Sequence, residues 1–490
     1  MRSPRLAMIA ACALLLGALV PNRAWAQFTS GVEGTILDPS GASIPNATVT
    51  LKEASTGVSH TAISSSAGVY RITALPASTF TLSVEARGFE TAVLDNITLQ
   101  VAETRIVNVN LKVGGATTTV TVSAEAAAQV NLASGAVSGE INETKVHELP
   151  LVGRNMYSLV VLTPGVTGTP SGGGQAYAQA TADIFNAEYG VNMNSNGQRA
   201  ESNNFQVDSA DVNGGPRGGV TNLTPNADSI QEVSILTNNF SAEYGRNAAA
   251  IVNVVTKAGT NQFHGTMSWF HSDTHLNSRT VFQNSGGYQN HGAPEFLRNE
   301  GAWSLGGPIR KDRDFAFGSM DFLRSGVGDA FPAQIFTPQF IDYLKTNYPN
   351  NVSTNVLSGF PTSFEPDRQF NTAGSILGSS CSGTTPIATP VGTLPCNFAV
   401  DGTGDFSSTI FRNGIQWNVR VDHNWNNFKD RLYGSFYRTT RQTVEFASPS
   451  VYYPAFSPSE PQYTHLLNLN WTHTAGPGFV NEMTLAYTRT

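Results

Sequence analysis

The C-terminal half of the chain contains segments in which apolar and polar residues alternate strictly. Residues 415–422 read Ile-Gln-Trp-Asn-Val-Arg-Val-Asp, and the same period of two recurs at 467–472 and 483–488. Because successive side chains of a β-strand point to opposite faces, each segment predicts a strand with one apolar, aromatic face and one polar face. No run of 18 apolar residues occurs in the sequence, so a membrane-spanning form of this chain would have to cross the bilayer with strands.

A water-soluble β-sandwich and a membrane β-barrel both produce such alternation. Segments near ten residues long with aromatic residues at their ends (Trp425, Trp471 and Tyr487) favour a lipid-facing band with aromatic girdles. The stretch 326–413 is rich in Ser, Asn and Gly and fits long loops on one side of a barrel. With 13% charged residues and a net charge of −7, the chain offers no basic surface for a nucleic acid.

The N-terminus has the three parts of a secretory signal peptide. A short basic region, 1–5, precedes an apolar run, 6–20, which is too short to span a bilayer comfortably as a helix. An Ala-Trp-Ala cleavage site ends at Ala26, so the mature chain is predicted to begin at Gln27. Lipoprotein cleavage before Cys12 is the alternative, and it is disfavoured because it would leave an apolar tail on the mature chain.

Residues 27–113 contain about seven short alternating segments, such as 47–51 and 80–85, separated by turn signals. This number of strands in so short a stretch predicts a β-sandwich. The opening run 31–47 (Gly-Val-Glu-Gly-Thr-Ile-Leu-Asp-Pro-Ser-Gly onward) and the later Ala-Arg-Gly-Phe at 86–89 resemble the carboxypeptidase regulatory-like, or transthyretin-like, domain family.

No catalytic or metal-binding pattern emerges from the sequence. The H-x-x-E pair of a zinc carboxypeptidase, the H-E-x-x-H motif, the G-x-S-x-G elbow and the P-loop are all absent. His271 and His275 flank Asp273 and would face one metal ion on a helix, but the surrounding sequence predicts strand and loop, which favours an exposed loop. We therefore expect neither enzymatic activity nor a cofactor.

Two cysteines remain in the predicted mature chain. Cys381 and Cys396 enclose sequence rich in Ser, Thr, Gly and Pro. In an exported protein such a pair predicts a disulfide that closes a surface loop.

The segment that follows the sandwich, 114–139, is small, flexible and β-prone, with an Ala-rich end. A segment of this kind can add itself as a strand to the sheet edge of a partner, which requires free backbone groups more than particular side chains. A simple linker is the alternative, and spacing alone favours it.

Residues 140–259 and the beginning of the following region carry a second resemblance. The motifs are KVHELPLVGRN at 145–155, NFSAEYGR at 239–246, IVNVVTKAGTN at 251–261 and LGGPIRKD at 305–312. In order and spacing they resemble the plug domain and first barrel strands of TonB-dependent outer-membrane receptors. The resemblance is to the Oar-like branch, whose members carry an N-terminal carboxypeptidase regulatory-like domain. Ser209 departs from the pattern, since such plugs more often have Gly there.

The resemblance implies a mostly β protein in the outer membrane of a Gram-negative bacterium. Its order would be a signal peptide (1–26), a transthyretin-like sandwich (27–113), a linker (114–139), an α+β plug domain (140–259) and a transmembrane antiparallel β-barrel (260–490). The region from 260 has room for eight to ten strands, whereas a plug needs a lumen of about twenty-two. We therefore expect this sequence to be the N-terminal part of a longer receptor.

The resemblance also implies a function without covalent chemistry. A ligand (siderophore, oligosaccharide or peptide) would bind the extracellular loops and the plug, and the TonB protein of the inner membrane would pull on a TonB box. We assign the TonB box to Thr119, Val120, Thr121 and Val122. Outer-membrane lipid would surround the barrel. The alternative is an adhesion or signalling protein that uses the same architecture without transport.

Four residues of the plug segment receive local interpretations. Gly153 and Gly245 are expected to form turns rather than to bind a ligand. Glu243 and Arg246 are expected either to pair with charges of the barrel wall or to stabilise a local turn.

Overall fold

The computed structural model describes residues 30–490 except 102, 115–118, 124–134, 150, 169–182, 186–188, 215–218, 241–243, 245–247, 277–295, 363, 427, 445–458 and 477–478. The predicted signal peptide with its cleavage site at Ala26 and Gln27 lies outside the described residues, as do Glu243, Gly245 and Arg246. The described part is mostly β and forms three units, named here the sandwich, the central domain and the C-terminal sheet.

The sandwich comprises residues 30–123 and packs two sheets face to face. Its strands are β1 (Ser30–Leu37), β2 (Thr48–Glu53), β3 (Ser59–Ile63), β4 (Val69–Leu75), β5 (Ser78–Glu85), β6 (Thr91–Leu99), β7 (Thr104–Ile106), β8 (Val109–Asn110) and β9 (Thr119–Ser123). One sheet has the order β4-β1-β7, with β8 also paired to β1, and the other has the order β3-β2-β5-β6-β9. The alternating apolar residues of both sheets, such as Val49, Leu51 and Leu82, form one buried core between them.

The central domain comprises residues 137–257. Its strands are β10 (Val137–Asn142), β11 (Val166–Gly168), β12 (Tyr189–Gly190), β13 (Met193–Ser195), β14 (Asn204–Val207), β15 (Ala210–Asp211), β16 (Val220–Thr221), β17 (Ile230–Asn238) and β18 (Ile251–Thr256). The main sheet has the order β10-β17-β18-β14-β15, and helix α1 (Glu143–Glu148) follows β10. Short 3-10 helices occur at Val152–Arg154, Met156–Leu162, Ala200–Ser202 and Ala227–Ser229. The first strand begins at Val137, slightly before the predicted boundary at 140.

The C-terminal sheet comprises residues 264–489. Its strands are β19 (His264–Asp273), β20 (Phe296–Arg310), β21 (Asp314–Phe336), β22 (Arg368–Thr372), β25 (Ala399–Trp425), β26 (Asp430–Val444), β27 (Ser459–Gly476) and β28 (Phe479–Arg489). The order is β19-β20-β21-β25-β26-β27-β28, all antiparallel, with β22 added to β25. Neighbours in sequence are therefore neighbours in space, as in the meander of a β-barrel.

The polarity of the C-terminal sheet is inverted relative to a soluble protein. Val419 and Val421 are 47% and 43% exposed, whereas the alternate residues Gln416, Asn418 and Arg420 of the same strand are buried. The predicted alternation thus places apolar side chains outward and polar side chains against the central domain. Apolar surface of this kind is favourable in contact with lipid, and a polar inner face is typical of outer-membrane barrels.

Two strands extend much farther than the predicted length near ten residues. β21 has 23 residues and β25 has 27, and they pair along their whole length to Phe336 and Asp401. The stretch 326–413, predicted as loop, therefore continues both strands at its ends, and the connection between them is 337–398. This connection folds into α2 (Pro338–Asn347), α3 (Val352–Gly359), α4 (Ala373–Ile376), β22 and the hairpin β23 (Pro386–Thr389) and β24 (Gly392–Pro395).

The described helices are short. None of them is both long and apolar enough to cross a membrane.

Val419 provides a test of the outward face, because it is an exposed apolar residue of β25, six residues before Trp425. We expect Val419→Arg to destabilise the protein in a bilayer by about 2–4 kcal/mol, since a charged side chain would enter hydrocarbon. Denaturant unfolding of the full-length protein in lipid vesicles measures this, with Val419→Leu as the control. Equal unfolding midpoints for the two variants would contradict a lipid-facing position.

Candidate functional site

Arg154 is the centre of a buried ion-pair cluster between the central domain and the C-terminal sheet. It ends the 3-10 turn Val152–Arg154, in which Gly153 and Arg154 have φ values of 65° and 52°. The predicted turn role of Gly153 agrees with this left-handed backbone, which suits glycine. The same backbone directs the Arg154 side chain toward the sheet, where it is almost completely buried.

The guanidinium of Arg154 joins carboxylates from both units. It donates to Asp228 of the central domain at 2.6 Å and to Asp321 of β21 at 2.8 Å, and it lies 3.9 Å from Glu300 of β20. It also lies 4.9 Å from the centre of the Phe270 ring. Although burial opposes ionisation of Asp228, the charge of Arg154 lowers the pKa of that carboxyl below its ordinary value. One cation therefore holds three buried carboxylates together across the contact.

Arg298 and Thr266 complete this cluster. Arg298 donates to Glu300 at 2.7 Å, and the hydroxyl of Thr266 donates to Asp228 at 2.8 Å. The four polar residues from the sheet side lie on the neighbouring strands β19 (Thr266), β20 (Arg298 and Glu300) and β21 (Asp321). The C-terminal sheet thus provides a continuous polar surface for the central domain.

A second buried cluster surrounds Arg420 on β25. Its guanidinium donates to Asp422 at 2.9 Å and to the hydroxyl of Thr256 at 2.9 Å, and it lies 3.6 Å from Asp208. Asp208 in turn accepts from the backbone N–H of Thr256 at 2.9 Å. Asp208 and Ser209 both have left-handed φ values, 47° and 65°, and Ser209 is the residue that departs from the resembled pattern. These bonds hold an unfavourable turn against the C-terminal sheet.

The clusters are joined by amide contacts along the same surface. Gln416 accepts from the backbone N–H of Asn226 at 2.7 Å and donates to the carbonyl of Thr224 at 2.9 Å. At another position Arg412 donates to the buried Asp183 at 2.9 Å. A Cβ at Gly414 would lie 2.3 Å from the Phe185 ring, so this glycine allows the central domain to approach the C-terminal sheet closely.

The sandwich contacts the edge of this assembly. Ala77 and Val101 of the sandwich pack against Leu236 and Ile251 of the central domain. The backbone N–H of Val101 donates to Glu232 of β17 at 3.0 Å. Burial raises the pKa of Glu232 to about 8, and the charges of Glu140 and Glu103 act in the same direction.

The sandwich also touches a turn of the C-terminal sheet. Asn261 donates from its backbone N–H to the carbonyl of Ser55 at 3.0 Å and from its side chain to the carbonyl of Thr56 at 2.6 Å. The sandwich is therefore attached both to the central domain and to the short-turn end of the C-terminal sheet.

A cavity of about 580 Å³ lies between the sandwich, the central domain and the C-terminal sheet. Its lining includes His60 of the sandwich, Lys257 of the central domain and Arg420 with Asp422 of β25. Burial lowers the pKa of His60 to about 4, so this imidazole is neutral near pH 7. Lys257 pairs with Glu143 at 2.7 Å. Lys257 and Arg420 are thus already paired with acidic groups of the protein.

The residues assigned as a TonB box form β9. Thr119, Val120, Thr121 and Val122 lie parallel to β6 at the edge of the sandwich, with Val120 opposite Ala92. This segment is separate from the Arg154 and Arg420 clusters in sequence.

Cys381 and Cys396 form a disulfide in the structure, with their Cα atoms 6.0 Å apart. The bond lies in the connection between β21 and β25, beside α4. His271 and His275 both lie next to Asp273, at 3.1 and 3.5 Å, and His271 is in strand β19 rather than a helix. In the described part of the chain no group of three or more His, Cys, Asp or Glu residues is arranged to hold a metal ion.

Two family models match parts of the chain. Residues 255–490 match the family "Outer membrane beta barrel domain", and residues 31–112 match the family "Carboxypeptidase regulatory-like domain". The predicted resemblance to TonB-dependent receptors of the Oar-like branch is confirmed, and so is the predicted location in the outer membrane of a Gram-negative bacterium.

The chain is similar to the TonB-dependent transporter Oar of Myxococcus xanthus, with 26% identity over 305 residues, 61% of this chain. It spans 27% of the length of that relative. Among solved structures it is similar to the outer membrane transporter YddB from Escherichia coli (TM-score 0.43, 9% identity, 72% of this chain and 38% of that chain). It is also similar to the siderophore receptor PirA from Acinetobacter baumannii (TM-score 0.27, 13% identity, 72% of this chain and 56% of that chain).

Substitution of Arg154 tests the first cluster. We expect Arg154→Met to destabilise the contact of the central domain with the wall by about 3–5 kcal/mol, because it leaves buried carboxylates without their cation. Thermal unfolding of the full-length protein in detergent measures the change. Arg310→Met is the control, since Arg310 forms only an exposed ion pair with Asp314. Adding Asp321→Asn to Arg154→Met should restore part of the loss, and a strictly additive double variant would contradict the coupling.

The raised pKa of Glu232 predicts that the contact between the sandwich and the central domain depends on pH. A carboxyl whose pKa is raised on docking, here from 4.5 to about 8, stabilises docking fully below pH 4.5, and this contribution is lost as pH rises through 8. We expect amide hydrogen exchange of β17 to quicken between pH 5 and 8, after correction for the intrinsic exchange rate. Glu232→Gln should remove this dependence, whereas Glu85→Gln, at an exposed site, should keep it. Identical profiles for both variants would count against the contact.

Alkylation tests the cysteine pair. We expect neither Cys381 nor Cys396 to react with a thiol reagent in the exported protein until reductant is added, because a disulfide contains no free thiol. Closing this loop stabilises the fold by about 3 kcal/mol. Mass spectrometry of the labelled peptides measures the reaction. Labelling of both residues without reductant would refute the pairing.

Proposed function

We propose that this chain belongs to a TonB-dependent outer-membrane receptor that takes up a ligand by energy-coupled rearrangement of the central domain. In this proposal the central domain is the plug and the C-terminal sheet is part of the barrel wall around it. The observation that carries the proposal is the buried contact between the two, in which Arg154 joins Asp228 to Asp321. A domain bound to the polar inner face of a membrane barrel obstructs the lumen, so movement of that domain would open a path.

The orientation follows from the lengths of the connections. Outer-membrane barrels have short periplasmic turns and longer extracellular loops. The turns 311–313 and 426–429 are short, whereas the connection 337–398 is long. The sandwich contacts Asn261 at the short-turn end, which supports a periplasmic position for the sandwich and for β9.

The chemistry of the contact suits a domain that has to move. Buried ion pairs and amide hydrogen bonds are geometrically specific, but water can replace them once the contact opens. The Arg420 cluster holds the turn at Asp208, and the Gln416 contacts hold Asn226. A pull on the central domain would exchange these bonds for bonds to water, and it would also separate a small apolar contact that includes Phe185 and Leu323.

The ligand would bind on the extracellular side, at the central domain and the connection 337–398. Siderophores, oligosaccharides and peptides are the classes proposed. The protein would perform no covalent chemistry, and its partners would be the TonB protein of the inner membrane and outer-membrane lipid. Among these, TonB is the partner on which transport depends and which an adhesion or signalling protein of the same architecture would not require.

Proline variants of β9 test energy coupling. We expect Val120→Pro or Thr121→Pro in a full-length receptor to abolish cross-linking to TonB and uptake together, because proline removes a backbone N–H from strand pairing. Thr121→Ala is the control and should be nearly silent. Binding of candidate siderophores, oligosaccharides or peptides to cells should persist in the proline variants. Undiminished uptake with proline at both positions would mean that coupling lies elsewhere.

A further inference from the structure

The proposed coupling strand is already paired within the chain. β9 lies parallel to β6, with five pairs from Thr91 opposite Thr119 to Asp95 opposite Ser123. It is the last strand of the sheet β3-β2-β5-β6-β9, and among the described residues β6 is its one strand partner. The position is thus the edge of a folded domain rather than a free arm.

That folded domain is itself attached to two other parts of the molecule. Val101 and Ala77 connect the sandwich to β17 of the central domain through Glu232 and Gln231, at 3.0 and 2.6 Å. Asn261 connects it to a turn next to the barrel wall. A pull on β9 while it remains paired with β6 is therefore divided between β17 of the central domain and the barrel, which the membrane holds in place.

The route from β9 to the central domain along the chain passes through residues 124–136. These 13 residues join β9 to β10 and span at most about 45 Å when fully extended. This route carries force into β10 only when β9 can move away from the sandwich. While β9 is paired with β6, the contacts of the sandwich bear the load. Once β9 has separated from β6, residues 124–136 bear it.

We propose that the sandwich is an intramolecular clamp on the coupling strand, and that β9 separates from β6 before a pull by TonB reaches β10 of the central domain along the chain. This inference rests on the proposed function, in which β9 is the TonB-binding segment. The pairing of β9 with β6 and the proposed pairing of β9 with TonB have the same chemistry, because both use backbone N–H and C=O groups of an extended segment. Parallel pairing over five residues at a sheet edge is short, which suits a reversible contact.

A disulfide between β6 and β9 tests the clamp. Val93 and Thr121 are directly opposite in the register, so Val93→Cys with Thr121→Cys would lock the strand. Thr50→Cys with Ser83→Cys is the matched control, because it crosslinks β2 to β5 within the same sandwich and leaves β9 free. Both variants are made in the full-length receptor, and the probe is the purified periplasmic domain of TonB attached to a force sensor.

The clamp predicts a difference in extension under load. In the unlocked protein and in the control, pulling should release segments of the central domain, with extensions on the order of 100 Å, since each freed residue adds about 3.5 Å. The locked protein should detach from TonB without this extension, and reductant should restore it in the same sample. Equal extension of the locked and reduced protein would overturn the inference.

Hydrogen exchange gives an independent measurement. When the TonB domain binds and pulls β9 away, the amides at 91–95 that face β9 should exchange at least tenfold faster, whereas those of β2 should not change. Unchanged protection at 91–95 with TonB bound would overturn the clamp and indicate that TonB adds to the outer edge of β9. If the reduced protein does not capture the TonB domain, and proline at Val120 changes nothing, the proposed coupling role of β9 fails and the clamp fails with it.

Discussion

A barrel strand that turns its apolar residues toward lipid has to turn its polar residues inward, and polar groups removed from water need partners. In this protein the central domain supplies those partners. Arg154 meets Asp321 and Glu300, Thr256 meets Arg420, and Asn226 meets Gln416. The inverted polarity of the wall therefore determines the polar surface that the central domain has to present, and with it the position of that domain.

The energetic character of this contact differs from that of a hydrophobic core. A buried ion pair contributes little more than a well-packed apolar pair, yet removal of one partner is costly because the other charge stays buried. The central domain also has an apolar core of its own, formed around Tyr157, Phe205 and Val233, to which the C-terminal sheet contributes Tyr437 and Leu466 among the described residues. The domain can thus remain folded while its polar contact with the wall changes. A domain that moves against the C-terminal sheet would need a core that stays folded when its contacts with the sheet change.

The sequence was sufficient for the features that depend on local patterns. The alternation at 415–422 predicted both the strand and its outward face, and the turns of the sandwich predicted its strands. The predicted length near ten residues was wrong for β21 and β25, because Gly and Asp residues interrupt the apolar alternation at 326–329 and 401–405. Arg154 was not recognised as a charge of the wall contact, although it belongs to the motif at 145–155. Its partners Asp228, Glu300 and Asp321 are 74 to 167 residues away, and only the folded chain brings them together.

The order of strands in the central domain suggests how a pull would act on it. β10 is an edge strand bonded to β17, and α1 follows it directly. Separation of β10 and α1 would remove Ile141 and Val146 from the core and break the pair between Glu143 and Lys257. β17, β18 and β14 would keep their pairing, and the Arg154 and Arg420 clusters contact the wall through residues outside β10 and α1. Force along the linker would therefore open one edge of the central domain first and leave the contact with the wall in place until the pull continued.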